Sequence, residues 1–180
     1  MLDASLKALN LDGDVASGGH WMDATFGGGG HSSAILTRLS PDGRLFGFDQ
    51  DPDATINTPK DDRFTMIAAN FRFAPQFLRA NQGLPLDGLL ADLGVSSHQF
   101  DKAERGFSLR QEGPLDMRMN QETGQPASAW IAEAEVSEMT QIFRRYGEVN
   151  RPDKLAHRIV VARQKAPVKT TRDLMEILSP

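Results

Sequence analysis

The chain has 180 residues, 39% apolar and 24% charged, with a formal net charge of −4. That balance suits one globular domain, or a domain with a small accessory lobe. No apolar run reaches the ~18 residues a membrane span needs, residues 1–14 lack the basic-then-apolar pattern of a secretory signal, and cysteine is absent. The last point removes disulfides, thiolate zinc sites and cysteine nucleophiles, and fits a reducing, cytoplasmic setting with no metal centre.

Short apolar runs alternate with helix-like segments through the first half. His20–Phe26 is predicted as a strand running into glycines, and His31–Leu39 as the helix that follows. Arg44–Phe48 is a second strand, closed by Asp49; Asp51–Asn57 is a short helix that Pro59 stops. Phe64–Ala69 is a third strand, Phe73–Ala80 a helix with Pro75 in its first turn, and Leu86–Leu93 a fourth strand. This alternation implies a parallel sheet covered on both faces, hence an α/β, Rossmann-like fold of about four strands. From Gly94 to Gln125 the pattern turns irregular and rich in Gly, Pro and polar residues, and a loop of that length is commonly functional or disordered. Helical spacing then takes over. Val136, Met139, Ile142, Phe143 and Tyr146 form one stripe, stopped by Gly147; Pro152 opens a second helix with Leu155, Ile159 and Ala162 on one face; a third begins near Thr171. The boundary drawn from this pattern is at 125, giving an α/β domain over 1–125 and an all-α helical subdomain over 126–180.

Three motifs carry chemistry. Asp23-Ala-Thr-Phe-Gly-Gly-Gly-Gly-His31 sits between a strand and a helix, where glycine permits a tight turn and close backbone approach to a ligand. It fails as a dinucleotide fingerprint, because Ser32 stands at the third glycine position, and it is no P-loop, because no Gly-Lys-Ser/Thr follows. Asp23 ahead of the glycines suits a ligand bearing an ammonium group. Asp49 ends the second strand 19 residues after Gly30, the spacing at which a carboxylate accepts from both hydroxyls of a ribose. Asp51, followed by Pro52, is better read as a helix cap. Asp92, in Ala91-Asp92-Leu93-Gly94-Val95-Ser96-Ser97-His98-Gln99, ends the fourth strand. Ligands of open α/β sheets bind beyond the carboxyl ends of the strands, so these three motifs point to one crevice.

Charge is uneven. Residues 1–125 hold 11 Lys/Arg against 17 Asp/Glu, and residues 126–180 hold 9 against 7. All nine of those basic residues lie between Arg144 and Arg172, opposed there only by Glu148 and Asp153. Such a segment suits a polyanionic partner, although a pair of solvated helix faces carries the same signature.

The stretches DATFGGGGHSSAIL, FGFDQDP, ADLGVSSHQFD and ERGFSLRQEGPLDMRM resemble the ribosomal RNA small-subunit cytosine-N4 methyltransferase family, as does the later RRYGEVNRPDKLAHRIVVAR. ERGFS with GPLDMRM is more particular than any glycine loop. The resemblance covers nearly the whole chain and implies S-adenosylmethionine as cofactor and 16S ribosomal RNA, or the small ribosomal subunit, as partner. It places cofactor contacts on Gly29, Gly30, His31, Asp49, Phe71, Asp92 and Gln99. Taken without it, Phe71 reads as core, His31 as a helix-start residue and Gln99 as a loop amide. A cytosine amine is a weak nucleophile that acceptors at the end of strand four could orient, which makes Asp92 and Ser96 the candidate catalytic groups. Arg158 and Arg163 are the candidate RNA contacts. Two features depart from the family: residues 51–62 are shorter and less helical than its second helix, and His98 replaces a frequent proline. The chain also stops at Pro180 within the helical insertion, so it is expected to be an N-terminal part of the enzyme. The competing functions are a catalytically inactive cofactor- or RNA-binding fragment and a dinucleotide-dependent oxidoreductase.

Overall fold

The computed structural model describes residues 2–11 and 18–178. They form two compact units, Met1–Ser96 and Ser97–Pro180. In the first unit helix α1 (Leu2–Ala8) precedes β1 (His20–Asp23), α2 (Gly30–Leu36), β2 (Arg44–Asp49), β3 (Phe64–Ala68), α3 (Ala74–Ala80) and β4 (Gly88–Leu90), with 3-10 turns at Pro52–Asn57 and Phe71–Phe73. The four strands are all parallel, in the order β3-β2-β1-β4. The α/β reading of the sequence holds.

Alternation along the strands sorts their side chains onto two faces. Trp21 and Leu45 pack with Leu6, Leu11, Ile35, Leu36 and Leu39, so α1 and α2 cover one face. Met22, Phe46 and Phe48 pack with Ile67, Ala74 and Leu78, so α3 covers the other. β4 is three residues long rather than the eight of Leu86–Leu93. Within the described residues it pairs with β1 alone, and the last paired residues are Asp23 and Leu90.

The second unit contains α4 (Ser97–Asp101), a 3-10 turn (Ala103–Arg105), α5 (Ala127–Glu133), α6 (Val136–Tyr146), α7 (Pro152–Lys165) and α8 (Thr171–Leu178). Gly147 and Pro152 stop α6 and open α7 as the sequence indicated. Met139, Ala156, Ile159, Ile131, Ala134, Leu115 and Val168 form its core. The units divide after Ser96, whereas sequence reading drew the boundary at 125. Residues 97–125 account for the difference, because their backbone is bonded into the helical unit. Leu115 N–H donates to Lys169 O, Thr171 N–H to Gly113 O, Ala127 N–H to Asp116 O and Ser128 N–H to Leu115 O. The irregular stretch is thus tied to the starts of α5 and α8.

Within it, ERGFS and GPLDMRM lie against each other. The Arg105 side chain is 2% exposed, and its Nη2 donates to the carbonyls of Arg118 and Met119 at 3.1 and 2.7 Å. A Cβ on Gly113 would stand 1.9 Å from Ala103 O, and one on Gly106 would stand 2.5 Å from Pro114 O. Asp116 and Arg118 make a two-pronged ion pair at 2.9 and 2.7 Å, which holds the Asp116 carboxyl below the usual range.

Arg163 also serves the fold. Its Nη1 donates to Ile131 O at 2.6 Å and Ala134 O at 2.8 Å, taking up carbonyls that the end of α5 leaves unpaired. Its assignment as an RNA contact therefore meets a guanidinium already engaged in holding α5 to α7. Replacing it with Met keeps the stem and removes both bonds, and is expected to cost about 1–3 kcal/mol. Urea unfolding followed through Trp130 fluorescence, in a Trp21→Phe background, checks this; an unmoved midpoint contradicts it.

Candidate functional site

The carboxyl ends of the four strands form a rim built within the first unit. The order β3-β2-β1-β4 reverses between β1 and β4, the place where open α/β sheets leave a crevice. Each loop at this rim is held by a side chain from a neighbouring one.

After β1 the chain runs through Asp23–Gly29 into α2. Phe26 N–H continues the β1–β2 ladder by donating to Phe48 O at 2.9 Å. Gly27 N–H donates to Asp49 Oδ2 at 2.7 Å, and Asn57 Nδ2 donates to Gly27 O at 3.1 Å, so both backbone polar groups of that residue are fixed. Gly29 caps α2 in the left-handed region at φ 76°, with a built Cβ 3.0 Å from the Phe26 ring, so a side chain there meets both strain and contact. Gly28 and Gly30 differ: a Cβ on either meets nothing within 4 Å. The turn therefore shows bare backbone to open space.

Asp23 lies beneath the turn and is 0% exposed. Its Oδ2 accepts from Ser32 Oγ at 2.7 Å and its Oδ1 from Thr25 N–H at 3.1 Å. Burial pushes its pKa up, against the opposing pull of the Ser32 and Thr25 hydrogen bonds and nearby His31. With its oxygens bonded to its own loop, Asp23 supports the turn; the sequence argument for it as a partner of a ligand ammonium gains nothing from this geometry.

Asp49 ends β2, half-buried. Besides Gly27 N–H on Oδ2, its Oδ1 accepts from Asp51 N–H at 2.9 Å. An ionised carboxylate offers about four acceptor positions, so each oxygen keeps one for a ligand hydroxyl. Asp51 caps the 3-10 turn through Asp53 N–H, the role its sequence context suggested. Phe71 follows β3 and is 41% exposed. Asn70 fixes its backbone, accepting from Arg72 N–H at 2.9 Å while donating to Gln50 Oε1 at 2.8 Å. Asp92 follows β4, exposed, with its N–H donating to Thr25 Oγ1 at 2.8 Å. His31 lies in the first turn of α2, half-buried, and Ser96 is half-buried near the end of the unit.

The structure thus collects Gly29, Gly30, His31, Asp49, Phe71 and Asp92 at the strand ends of one unit. Gln99 is 4% exposed in α4 and belongs to the second unit, as do Arg158, exposed on α7, and Arg163. Sequence reasoning missed Thr25, Asn57, Asn70 and Ser32 as rim supports. Their only signal was a small polar residue beside a strand end or a glycine, which is ordinary loop chemistry. Among the described residues no group of His, Asp and Glu is arranged to hold a metal ion, and no helix is long and apolar enough to cross a membrane.

The model of the MraW methylase family matches residues 1–180. The chain belongs to that family. It is 51% identical over 169 residues to the ribosomal RNA small subunit methyltransferase H of Flavobacterium johnsoniae, covering 93% of this chain and 56% of the relative. It is 47% identical over 179 residues to the protein of that name from Flavobacterium psychrophilum, covering 99% and 60%. The match to the one from Parabacteroides distasonis is 46% over 181 residues, covering 100% and 58%. The chain thus spans 56–60% of the length of these curated relatives. Among solved structures, Aeropyrum pernix fibrillarin, crystallised with natively bound S-adenosyl-L-methionine, aligns with a TM-score of 0.39 at 20% identity, covering 65% of this chain and 54% of that one. That likeness is too slight to bear on the site.

The raised pKa of Asp23 has a sign. A carboxyl whose folded value lies above 3.8 contributes stability that is full below 3.8 and lost as pH rises through the folded value. Carbon-13 NMR is expected to place the Asp23 midpoint above 3.8, and Asp23→Asn to flatten the decline in stability across that window. A midpoint at or below 3.8 contradicts this account.

Proposed function

We propose that this chain is the cofactor-binding portion of an S-adenosylmethionine-dependent enzyme that methylates N4 of a cytosine in 16S ribosomal RNA of the small subunit, in the cytoplasm. The observation that carries the cofactor is the Asp49 carboxylate. It anchors the glycine turn through Gly27 N–H and keeps acceptor positions for the two hydroxyls of a ribose. Open space above Gly28 and Gly30 suits the close approach of an amino-acid chain to backbone, with His31 at its edge. Phe71, exposed after β3, offers a ring face to adenine. Membership of a methylase family, and relatives named for ribosomal RNA small-subunit methylation, support the reaction and the substrate.

A sulfonium cofactor supplies an electrophilic methyl group and leaves as a neutral thioether, so no protein acid is required. The chain's task is the amine. Asp92, exposed just after β4, would accept a hydrogen bond from the exocyclic N–H, orient the amine and pass to solvent the proton it sheds on methylation; Ser96 would be a second acceptor. The oxidoreductase alternative lacks support, because Ser32, at the place of the third glycine, is buried against Asp23. RNA is gripped by the basic stretch from Arg144 to Arg172, with exposed Arg158 a better representative than Arg163.

Calorimetry with S-adenosylmethionine tests the cofactor. The chain is expected to bind it, and Gly30→Ala to weaken binding about tenfold, ~1.4 kcal/mol, by filling the open space. The same substitution leaves folding unharmed, since Ala is favoured over Gly in a helix by up to ~1 kcal/mol. No binding by the parent chain overturns the proposal. For the RNA surface, Arg158→Glu is expected to weaken binding to a 16S ribosomal RNA fragment and to lower the slope of log affinity against log salt by about one to two. An unchanged slope removes Arg158 from the interface.

A further inference from the structure

The parallel ladder between β1 and β4 ends in an unusual way. Ala24 N–H donates to Leu90 O at 2.8 Å. With Asp23 paired to Leu90, the next rung of a regular parallel ladder would run from Asp92 N–H to the Ala24 carbonyl. Instead Asp92 N–H is bonded to the Thr25 hydroxyl at 2.8 Å. A side chain thus stands in for a backbone acceptor at the last rung. Thr25 is itself fixed, since its N–H donates to the buried Asp23 carboxylate. On the opposite side of β1 the ladder to β2 runs on through Phe26 N–H. β1 and β4 therefore part company at the point where the strand order reverses, and the hydroxyl sets how far Asp92 stands from the glycine turn.

We propose that Thr25 is a positioning residue for Asp92: its hydroxyl ends the β1–β4 ladder, opens the crevice between the two strands and fixes the Asp92 backbone, so that the Asp92 carboxylate faces the ligand. This rests on the cofactor reading given above, together with the contact to S-adenosylmethionine that the family resemblance gives Asp92. Thr25 touches no reacting atom and acts through Asp92 alone. A valine of nearly the same shape keeps the packing and removes the acceptor; a serine keeps the acceptor.

The test measures S-adenosylmethionine and S-adenosylhomocysteine affinity by calorimetry for the parent chain, Thr25→Val, Thr25→Ser, Asp92→Ala and the Thr25→Val/Asp92→Ala double variant. Amide hydrogen exchange at residue 92 is followed in the single Thr25 variants. Thr25→Val is expected to weaken binding by about fivefold to tenfold and to speed exchange of the Asp92 amide, while Thr25→Ser stays within about twofold on both. In the Asp92→Ala background Thr25→Val is expected to add nothing to the loss, which a general destabilisation of the fold would not reproduce. Parent-like affinity in Thr25→Val, an undiminished effect of it in the Asp92→Ala background, or unaltered binding in Asp92→Ala itself overturns the inference. A parent chain that binds neither ligand overturns the cofactor reading instead.

Discussion

A carboxylate at the end of a parallel strand can gather the backbone N–H groups of loops that no ladder satisfies, and the rim of this sheet depends on one that does so. Asp49 takes Gly27 N–H on one oxygen and Asp51 N–H on the other, joining the turn after β1 to the turn after β2. Gly27 is held from its other side by Asn57, so the position of the glycine turn is set by β2 and the 3-10 turn that follows it. Charge-assisted bonds of this kind are short and roughly twice as strong as neutral ones, and two of them on one group hold it rigid before any ligand arrives. Asp23 completes the arrangement from beneath, bonded to Ser32 and Thr25 in the interior. One acid is given to support and the other is left partly open, and burial decides which is which.

The parts of this picture that could be read from sequence are those with a period or a spacing. The short apolar run within Arg44–Asp49 gave a strand buried on both faces, and the distance from Gly30 to Asp49 gave an acid at the rim. The stripe from Val136 to Tyr146 and the pair Gly147 and Pro152 gave α6 and α7. What escaped has no period. Helix α5 has seven residues, too few for a pattern, and its stability comes from burying Ile131 and Ala134 against α6 and α7. Thr25, Asn57 and Asn70 act across gaps of tens of residues, through single hydrogen bonds that any loop residue could make. The bonds Arg163 makes within the fold could not be foreseen, because a run of basic residues reports charge but not direction. The side chain turns to the carbonyls of α5, while Arg158, one and a half turns earlier, stays exposed. The boundary drawn at 125 differs from the division after Ser96 for a similar cause, since a polar, glycine-rich stretch reads as a loop of the α/β domain until its backbone bonds are known.

In each unit a deeply buried ionisable side chain is engaged by the surrounding backbone. In the first it is Asp23, and in the second it is Arg105, whose guanidinium accepts no substitute of similar geometry for its bonds to the carbonyls of Arg118 and Met119. Such groups are costly to bury and costlier to strip of their partners. They explain why two irregular stretches, the glycine turn and the loop from Gly106 to Met119, hold defined shapes with little regular secondary structure.

The close approach of Gly113 to Ala103 has a consequence for how these sequences can change over time. With less than 2 Å between a hypothetical Cβ at Gly113 and the Ala103 carbonyl oxygen, no side chain fits at position 113 unless the backbone at Ala103 retreats. Gly106 of ERGFS is limited in the same way, since a Cβ there would stand 2.5 Å from the Pro114 carbonyl oxygen. Substitution can therefore spread through the exposed residues around these two glycines, but reaches the glycines themselves only if the backbone facing them moves.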